Sequence, residues 1–398
     1  MSSRTAVLTT EPPSTGMRPL VQATVLPLLL FSLGHFFVDL YSGSLGVLQP
    51  LILRQFGLSF TQAGILGGLL SFSSSVTQPL YGYLSDRFHS RLFTVLAPAV
   101  AGIFISTLGW ASGFPMLLVM VFLAGAGMAS FHPQAASNAT RGIRHNRARG
   151  MAIFISCGTL GLAIGPTYFS LITAKWGLSG AYGAAIPGII ITLLLLVFLR
   201  PFHRPAGITA KFSVQPLRAV WRPMSILYLL VFLRSVVQIT FTQFLPLYLQ
   251  TARGYSLLKA SYSLSLYLVG GAVGGIAGGN LADRFGGKRV ILISMLGSVP
   301  LLALFVLTTG FLSALGMFLA GLVLLFTIPV NLVMAQQLAP TQTATVSALM
   351  MGFAWGMAGV IFIPLTGWVA DHYSMQAAFT ALIAVPLVGF LLALKLPK

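Results

Sequence analysis

Acidic residues are nearly absent from this chain of 398 residues, which contains five Asp and Glu against 23 Lys and Arg. Charged residues make up 7% of the sequence, whereas soluble domains carry about 25%. Hydrophobic residues make up 56%, more apolar side chain than a soluble core could bury, so we expect the surrounding solvent to be lipid. The only cysteine, Cys157, excludes an intrachain disulfide.

Signatures of catalysis are also missing. The sequence has no His-Glu-x-x-His motif, no phosphate-binding loop ending in Gly-Lys-Ser/Thr, no pair of acids in one apolar segment and no cysteine cluster. We therefore expect no enzyme activity, no cofactor and no metal. The formal charge of +18 does not indicate nucleic acid, because the basic residues cluster in short gaps between apolar segments, as in membrane proteins.

Long apolar segments are what the chain does contain. Each of twelve is long enough to cross a bilayer at about 20 residues per helix, and none alternates like a barrel strand. The sequence predicts an all-α membrane protein with twelve transmembrane helices. The expected spans lie at about 22–50, 60–84, 92–111, 115–138, 149–174, 180–200, 223–250, 258–281, 289–309, 312–335, 343–370 and 375–395.

The distribution of basic residues predicts the orientation. With the N-terminus inside, most Lys and Arg fall in cytoplasmic gaps, and the outer side receives only Arg54, Lys175, Arg253 and Lys259. This bias predicts cytoplasmic N- and C-termini in the inner (plasma) membrane of the cell.

Composition also divides the chain into regions. Residues 1–21 are polar and rich in Pro, Ser and Thr, which predicts a disordered cytoplasmic tail. Residues 201–222 are basic and Pro-rich, and we interpret them as a cytoplasmic linker. The linker would separate two six-helix bundles, at 22–200 and 223–398.

Two loops of the chain repeat. Gly82-Tyr-Leu-Ser-Asp86-Arg87 follows the second span, and Gly279-Asn-Leu-Ala-Asp283-Arg284 follows the eighth. The aspartates lie 197 positions apart (283 minus 86), and the pairs Gly57/Gly254 and Ser59/Ser256 share that offset. Parallel repeats joined by a central loop are a transporter architecture, with the substrate site between them near the midplane.

These loops resemble the signature loop of the major facilitator superfamily, and the resemblance covers the chain from about residue 22. It implies the major facilitator fold, two pseudo-symmetric six-helix bundles that work by alternating access. A narrower resemblance, to the fosmidomycin-resistance branch of drug efflux proteins, implies export. It is carried by His35-Phe-Phe-Val-Asp39, Gln78-Pro79, Phe131-His132-Pro133-Gln134, Gln336-Gln337-Leu-Ala-Pro340, Gly352-Phe-Ala-Trp-Gly-Met-Ala-Gly359 and Ala370-Asp371-His372.

The chain departs from that branch at two positions. The branch usually has Glu after the His-Pro pair and often has Glu near the Gln-Gln pair, whereas this chain has Gln134 and Gln337. Two titratable groups of the branch are therefore missing here, which leaves Asp39 more isolated.

Asp39 is the one acid in the body of an apolar segment. A carboxylate there costs several kcal/mol unless it is protonated, paired or hydrated, and a cavity that alternates between water and closure lets it load and release a proton. His35 lies one turn earlier on the same helical face and could share that proton. We predict that Asp39 and His35 couple transport to protons. The alternatives are a structural acid and a neutral histidine bonded to a backbone carbonyl.

Polar side chains inside several spans are candidates for contacting a substrate. Arg234, the only basic residue placed within a span, could pair with Asp39 or bind an anionic substrate bidentately. Its alternative is a guanidinium that extends to the membrane surface, and the amides could equally hold helices together. The predicted substrate-binding residues are His132, Gln134, Asn138, Arg234, Gln238, Gln243, Asn331 and Gln336.

The charged residues of the two repeated loops are predicted to form a gate. An ionised aspartate can bond the N-terminal amides of a neighbouring helix and nearby arginines while the cytoplasmic side is shut. For Asp371 and Lys175, which end the eleventh and fifth spans, we expect a surface pair or solvated helix ends. The predicted gating residues are Asp86, Arg87, Arg91, Asp283, Arg284, Lys288 and Arg289.

The sequence as a whole predicts a proton-coupled secondary transporter, most simply an efflux antiporter for a small drug-like or metabolite molecule. No ATP-binding motif is present, so uphill transport would use an ion gradient. One alternative is an uptake carrier or facilitator for a small organic anion bound at Arg234. A second, a membrane sensor on a transporter scaffold, would need a soluble signalling domain. The expected partners are a small-molecule substrate, protons and the lipid bilayer, with a monomeric chain.

Overall fold

The computed structural model describes residues 17–88, 90–140, 143, 147–199 and 218–397. Within these ranges the regular structure is entirely helical. Most of the predicted tail and most of the predicted linker lie outside the described residues. Outside the description lie also the side chains of residues 17–24, 85, 86, 137, 147, 148 and 344. The prediction that Asp86 is a gating residue therefore concerns a side chain that the structure does not describe.

Six helical crossings form the amino-terminal bundle. Several are broken where Gly, Pro or Ser interrupts an apolar run, and the second span contains a π-helical segment at the serine run Phe72–Val76. In chain order the spans are Met17–Ser42 with Leu45–Phe56; Phe60–Ser71, Phe72–Val76 and Gln78–Phe88; Leu92–Ser106; Phe114–Asn138; Arg147–Trp176; and Ser179–Ala185 with Ile186–Phe198.

Six further crossings form the carboxy-terminal bundle. The eleventh span contains a second π-helical segment, Ala348–Ala354. The spans are Trp221–Thr251; Leu257–Phe285; Gly287–Leu307; Gly310–Leu324 with Thr327–Leu338; Thr343–Ser347, Ala348–Ala354 and Trp355–His372; and Met375–Ala381 with Ala384–Ala393.

Ten helical segments of the described chain are long and apolar enough to cross a membrane. The second span, divided by its π-helical segment, and the third, the short apolar helix Leu92–Ser106, are the remaining two members of the expected series. The architecture is therefore consistent with the predicted twelve helices.

Three apolar cores hold the helices together. One is formed by residues between Leu28 and Leu199, within the amino-terminal bundle, and another by residues between Met224 and Leu396. The third joins the bundles, because it places Ala63 and Ala163 among side chains of the seventh to twelfth spans.

The internal repeat is visible at the start of the second and eighth spans. Gly57 and Gly254 both adopt the left-handed conformation, with φ of 63° and 65°, which only glycine takes at little cost. Ser59 and Ser256 then cap the next helix, accepting from the amides of Gln62 and Lys259. The offset of 197 residues thus marks two copies of the same turn and cap.

The bundles touch where glycine lets backbones approach. A methyl group at Gly64 of the second span would lie 2.7 Å from the Ile363 carbonyl oxygen of the eleventh span. One at Gly46 of the first span would overlap the Thr242 carbonyl of the seventh. Close approach over small residues is how helices associate in lipid, where no hydrophobic drive operates between them.

Asp371 joins the two bundles at the face opposite the repeated loops. Its Oδ1 accepts from the Phe60 amide at 2.9 Å, and its Oδ2 accepts from the Thr61 amide at 2.8 Å and the Thr61 hydroxyl at 2.5 Å. The carboxylate thereby caps the N-terminus of the helix Phe60–Ser71, where amides lack partners and a negative charge is favoured. The expectation of a surface pair or solvated end at this position was therefore wrong for Asp371.

Replacing Asp371 with Ala is expected to lower the free energy of unfolding by about 1 kcal/mol, because it removes a helix cap. Asp371→Asn keeps one carbonyl acceptor and should lose less. The exposed Asp283, which forms no ion pair within the described residues, provides the control. Thermal unfolding of the purified variants checks this, and an equal effect of Asp283→Ala would contradict the bridging role.

Candidate functional site

Three titratable side chains meet inside the amino-terminal bundle. His35 and Asp39 lie one turn apart on the first span, with His35 Nε2 at 3.2 Å from Asp39 Oδ2. His132 of the fourth span places its Nε2 at 3.5 Å from Asp39 Oδ1. Only about a tenth to a quarter of each side chain is exposed, at 11% for His35, 19% for Asp39 and 26% for His132. The structure therefore brings together the predicted proton-coupling pair and one predicted substrate residue.

A backbone carbonyl fixes the hydrogen-bonding role of His35. Its Nδ1 lies 2.8 Å from the Phe154 carbonyl oxygen of the fifth span. A carbonyl oxygen can only accept, so Nδ1 carries a hydrogen, and in a neutral imidazole Nε2 is then an acceptor. The Phe154 ring stacks on the imidazole with centroids 4.3 Å apart, which holds the ring in this orientation.

The contact between His35 and Asp39 consequently needs one more proton. A neutral His35 and an ionised Asp39 would present two acceptors to each other across 3.2 Å. The contact is a hydrogen bond only if His35 is doubly protonated or if Asp39 carries the proton. The pair is therefore a place where a single proton creates an attraction and its loss creates a repulsion.

Gly158 of the fifth span provides the space for this pair. A methyl group there would lie 2.7 Å from Asp39 Oδ2 and closer still to His35 Nε2. Both atoms are the ends of side chains, so an added methyl would displace the pair rather than the backbone. The fifth span thus contributes a carbonyl, a stacking ring and a gap to a site whose titratable groups belong to the first and fourth spans.

The same three residues lie within the distance needed to contact one metal ion, since their ligand atoms are all within 4.8 Å of one another. His35 and Asp39 are, however, already in direct hydrogen-bond contact, and one proton accounts for that geometry. We therefore interpret the group as a hydrogen-bonded cluster.

Arg234 occupies the carboxy-terminal bundle, with 4% of its surface exposed. Its Nη1 donates to Gln238 Oε1 at 2.5 Å, and its guanidinium lies over the Trp355 ring, 5.5 Å from the centroid. The ion pairs of the described residues involve only His35, His132 and Asp39. The expected alternatives of pairing with Asp39, or of extending to the surface, are therefore not what this conformation shows.

The remaining predicted substrate residues divide into two groups. Gln134 and Gln336 bond other spans of their own bundle, to Thr94 and Ser347, which is the helix-joining alternative that the sequence left open. Asn138 donates to the Gln134 backbone carbonyl one turn earlier in its own helix. Among the described residues, Gln243 Oε1 and both polar atoms of Asn331 are buried without a partner, so these two retain hydrogen-bonding capacity.

The described side chains of the predicted gate form no contact between the bundles, and the Asp86 carboxylate lies outside the description. Asp283 and Arg284 are exposed, and Arg87 donates only to Tyr83 of its own helix at 3.4 Å. Lys288 donates to the Leu394 carbonyl at 3.0 Å, again within one bundle. Arg91 and Arg289 likewise form no ion pair within the described residues.

Hydrogen bonds between the bundles lie instead toward the opposite face. Within the described part of the chain they are those of Asp371 and a contact of 2.9 Å between the hydroxyls of Thr167 and Ser265. The hydrogen bonds that the described residues form between the two halves are thus confined to one face, opposite the repeated loops.

One cavity of about 350 Å³ lies away from these residues, between the seventh to tenth spans near the face of Asp371. It is lined by residues such as Leu249, Lys259 and Met317. None of the predicted site residues lines it, so it does not contribute to the site.

Comparison with known proteins identifies the family. The model of the Major Facilitator Superfamily matches residues 31–362 and 264–398. The chain belongs to the Major Facilitator Superfamily. The superfamily assignment confirms the predicted fold and shows a multi-pass membrane transporter rather than an enzyme.

Individual relatives are similar over nearly the whole chain. The fosmidomycin resistance protein of Escherichia coli K12 is 27% identical over 368 residues, covering 90% of each chain. The uncharacterized MFS-type transporter YfnC of Bacillus subtilis 168 is 29% identical over 387 residues, covering 94% of each. These matches confirm the resemblance to the fosmidomycin-resistance branch.

A solved structure is similar in fold. A bacterial homologue of the human lysosomal transporter Spinster, in an inward-facing and occupied conformation, superposes with a TM-score of 0.79 at 16% identity. The match covers 95% of this chain and 97% of that one.

Sequence reasoning missed the residues that orient the titratable groups. Phe154 acts through its backbone carbonyl, and Gly158 acts through the absence of a side chain. The residue type alone predicts neither role. Trp355 and Tyr267, on the side of the seventh span that carries Arg234, were not among the predicted site residues. Trp355 does lie in one of the stretches that carry the family resemblance, which was a signal available in the sequence.

Gly158→Ala is expected to lower stability by about 1–3 kcal/mol, because it displaces His35 from the Phe154 carbonyl and leaves buried polar groups unpaired. Gly275→Ala is the matched control, since Gly275 is also helical and has no atom within 4 Å of the added methyl. The control should be neutral or slightly stabilising. Thermal unfolding distinguishes them, and equal behaviour of the two variants would contradict the role of Gly158.

Proposed function

We propose that this superfamily member is a proton-coupled secondary transporter that exports a small drug-like or metabolite molecule by alternating access. The observation that supports this most strongly is the contact of 3.2 Å between His35 Nε2 and Asp39 Oδ2. With Nδ1 occupied by the Phe154 carbonyl, that contact exists only while the pair holds a proton. The proton-coupling residues are Asp39 and His35.

The proposed cycle follows from hydrogen-bond geometry. With the proton, His35 bonds both Phe154 and Asp39. When the cavity admits water and the proton leaves, His35 Nε2 and the carboxylate repel, and Asp39 turns to His132, whose Nε2 is 3.5 Å from Oδ1. A substrate that enters between the bundles would bind more tightly in one of these two arrangements than in the other. This difference in affinity links substrate movement to the proton.

We further propose that the face of the repeated loops is cytoplasmic. The basic residues concentrate on that side of the chain, in the manner of cytoplasmic loops. The bonds of Asp371 and Thr167 then lie on the outer side. In this orientation the described conformation is closed to the outside, and Asp371 acts as the outer gate. The predicted loop residues would form the inner gate only in the other conformation.

Export is supported by the similarity to the fosmidomycin resistance protein of Escherichia coli. A protein that confers resistance by transport moves its drug out of the cell. The alternative, an uptake carrier or facilitator for a small organic anion, is favoured by one observation, the buried and unpaired cation of Arg234.

In everted vesicles with an acidified lumen, we expect fosmidomycin to raise the luminal pH through the wild-type protein, because an exporter exchanges luminal protons for drug. Asp39→Asn cannot hold the proton and should abolish this response while retaining drug exchange across vesicles without a pH gradient. A pH-sensitive dye and radiolabelled drug provide the two measurements.

Asp371→Asn is the control for the loss of an acid, and it should keep the ratio of protons to drug even if the rate changes. The wild-type response should also persist in a chelator, because the cluster needs no metal. Undiminished proton movement through Asp39→Asn would rule out the coupling pair. Acidification of the lumen on adding drug would indicate cotransport and favour the uptake alternative.

A further inference from the structure

Arg234 is a buried cation that has no anion to pair with. Its residue is 4% exposed, and no acid of the described residues forms an ion pair with it. Among the described residues, Gln238 is its hydrogen-bond partner through Oε1, and its Nε is buried without an acceptor. A guanidinium carries five N–H donors and no acceptor, so donors remain for another group.

Such an arrangement is costly unless another group completes it. An unpaired charge removed from water costs several kcal/mol in real proteins. The Trp355 face at 5.5 Å offsets part of this, since a cation over an aromatic ring contributes about 0.5–2 kcal/mol. The neutral amide of Gln238 adds one hydrogen bond. These two contacts offset only part of the cost of burying the charge, and a negatively charged acceptor would offset the rest.

Arg253 shows what a structural arginine looks like in the same bundle. Its guanidinium donates to Tyr248, to Ser313 and to the carbonyls of Phe305, Val306 and Thr308 at 2.6 to 3.0 Å. Every nitrogen is used, and the charge sits at the C-terminal end of a helix, where a cation is favoured. Arg234 has none of these contacts, so a purely structural role does not explain it.

Tyr267 of the eighth span supplies a second donor beside Arg234. The tyrosine is fully buried, and among the described residues its hydroxyl has no hydrogen-bond partner. Its ring stacks on Phe241 with centroids 4.8 Å apart, and Phe241 lies two helical turns beyond Arg234 on the same face of the seventh span. The tyrosine is thus a second donor on the side of the seventh span that carries Arg234.

We propose that Arg234 and Tyr267 bind an oxyanion group of the transported molecule, so that the substrate is a small organic anion such as a carboxylate, phosphonate or sulfonate. Charged hydrogen bonds to a guanidinium fork are the usual means of recognising such groups. The inference rests on the proposed function, because a ligand reaches this buried position only if the bundles alternate in opening.

The seventh span also contacts the amino-terminal bundle. Nine residues beyond Arg234, Gln243 packs against that bundle, where its Oε1 lies 3.3 Å from the position of a methyl group at Gly67. Among the described residues the same oxygen is buried without a partner. The seventh span thus borders the interface between the bundles on one side, while Arg234, on the other side of the helix, faces Trp355 of its own bundle.

The test uses the purified full-length protein, with methylphosphonate as the anionic probe and its neutral dimethyl ester as the comparison. At constant ionic strength, methylphosphonate should raise the unfolding temperature of the wild-type protein and the ester should not. Arg234→Gln should raise the apparent Kd for methylphosphonate at least tenfold, and Tyr267→Phe several-fold. Arg234→Lys, which keeps the charge but not the fork, should fall between wild type and Arg234→Gln.

Arg222→Gln is the matched control. Arg222 lies on the same helix and over a tryptophan ring, 5.6 Å from the Trp221 centroid, but it is exposed. This variant should bind methylphosphonate as the wild type does. If Arg234→Gln fails to fold, Arg234→Lys and Tyr267→Phe carry the comparison.

Three outcomes would overturn the inference: no shift with methylphosphonate in the wild-type protein, an equal shift with the ester, or equal losses in Arg222→Gln and Arg234→Gln. Asp39→Asn separates this inference from proton coupling. Its anion shift should persist even where its proton movement is lost. If methylphosphonate does not bind but proton movement still depends on Asp39, the proposed substrate class is wrong and the proposed proton coupling stands.

Discussion

The hydrogen bond between the Phe154 carbonyl and His35 Nδ1 determines how the rest of the site behaves. Because that carbonyl occupies one ring nitrogen at 2.8 Å, only Nε2 is left to face Asp39. The acid and the imidazole then attract or repel according to the presence of one proton. A carboxylate within the membrane, which is costly by itself, is thereby turned into a group with two defined arrangements.

Much of the fold and part of the site could be predicted from the sequence. Hydropathy and the repeated loops are properties of the chain alone, so the helices and the repeat of Gly57 and Ser59 at Gly254 and Ser256 followed directly. The contact between His35 and Asp39 followed from helical spacing. The contribution of Gly158 could not be predicted, because its effect depends on which span packs there.

The differences from expectation have a common physical origin. Asp371 was expected in a surface pair or a solvated helix end, yet the N-terminal amides of the second span lie beside it. Pairing with Asp39 was one possibility for Arg234, which instead contacts Gln238 and Trp355 in this conformation. The side-chain oxygen of Gln134, a substrate candidate, accepts from the Thr94 hydroxyl. Each case depended on a neighbouring span, which sequence spacing does not specify.

The two bundles divide the charged chemistry between them. The amino-terminal bundle holds the buried acid with its two histidines, and the carboxy-terminal bundle holds the buried arginine. No ion pair joins Asp39 to Arg234 in the described residues, so neither group neutralises the other. A proton on one side and an anion on the other can then be handled by separate residues within one interface.

The contacts of Asp371 are distant from the proposed substrate site, so the rate of transport and its selectivity depend on different residues. Asp371 lies at a helix end, far along the eleventh span from Trp355 and the Arg234 guanidinium, yet it fastens one bundle to the other through three hydrogen bonds. If Asp371 acts as the proposed outer gate, we expect a substitution there to alter how long the protein stays in one orientation and to leave the contacts of the proposed anion site intact. The rate and the selectivity of transport could then change independently.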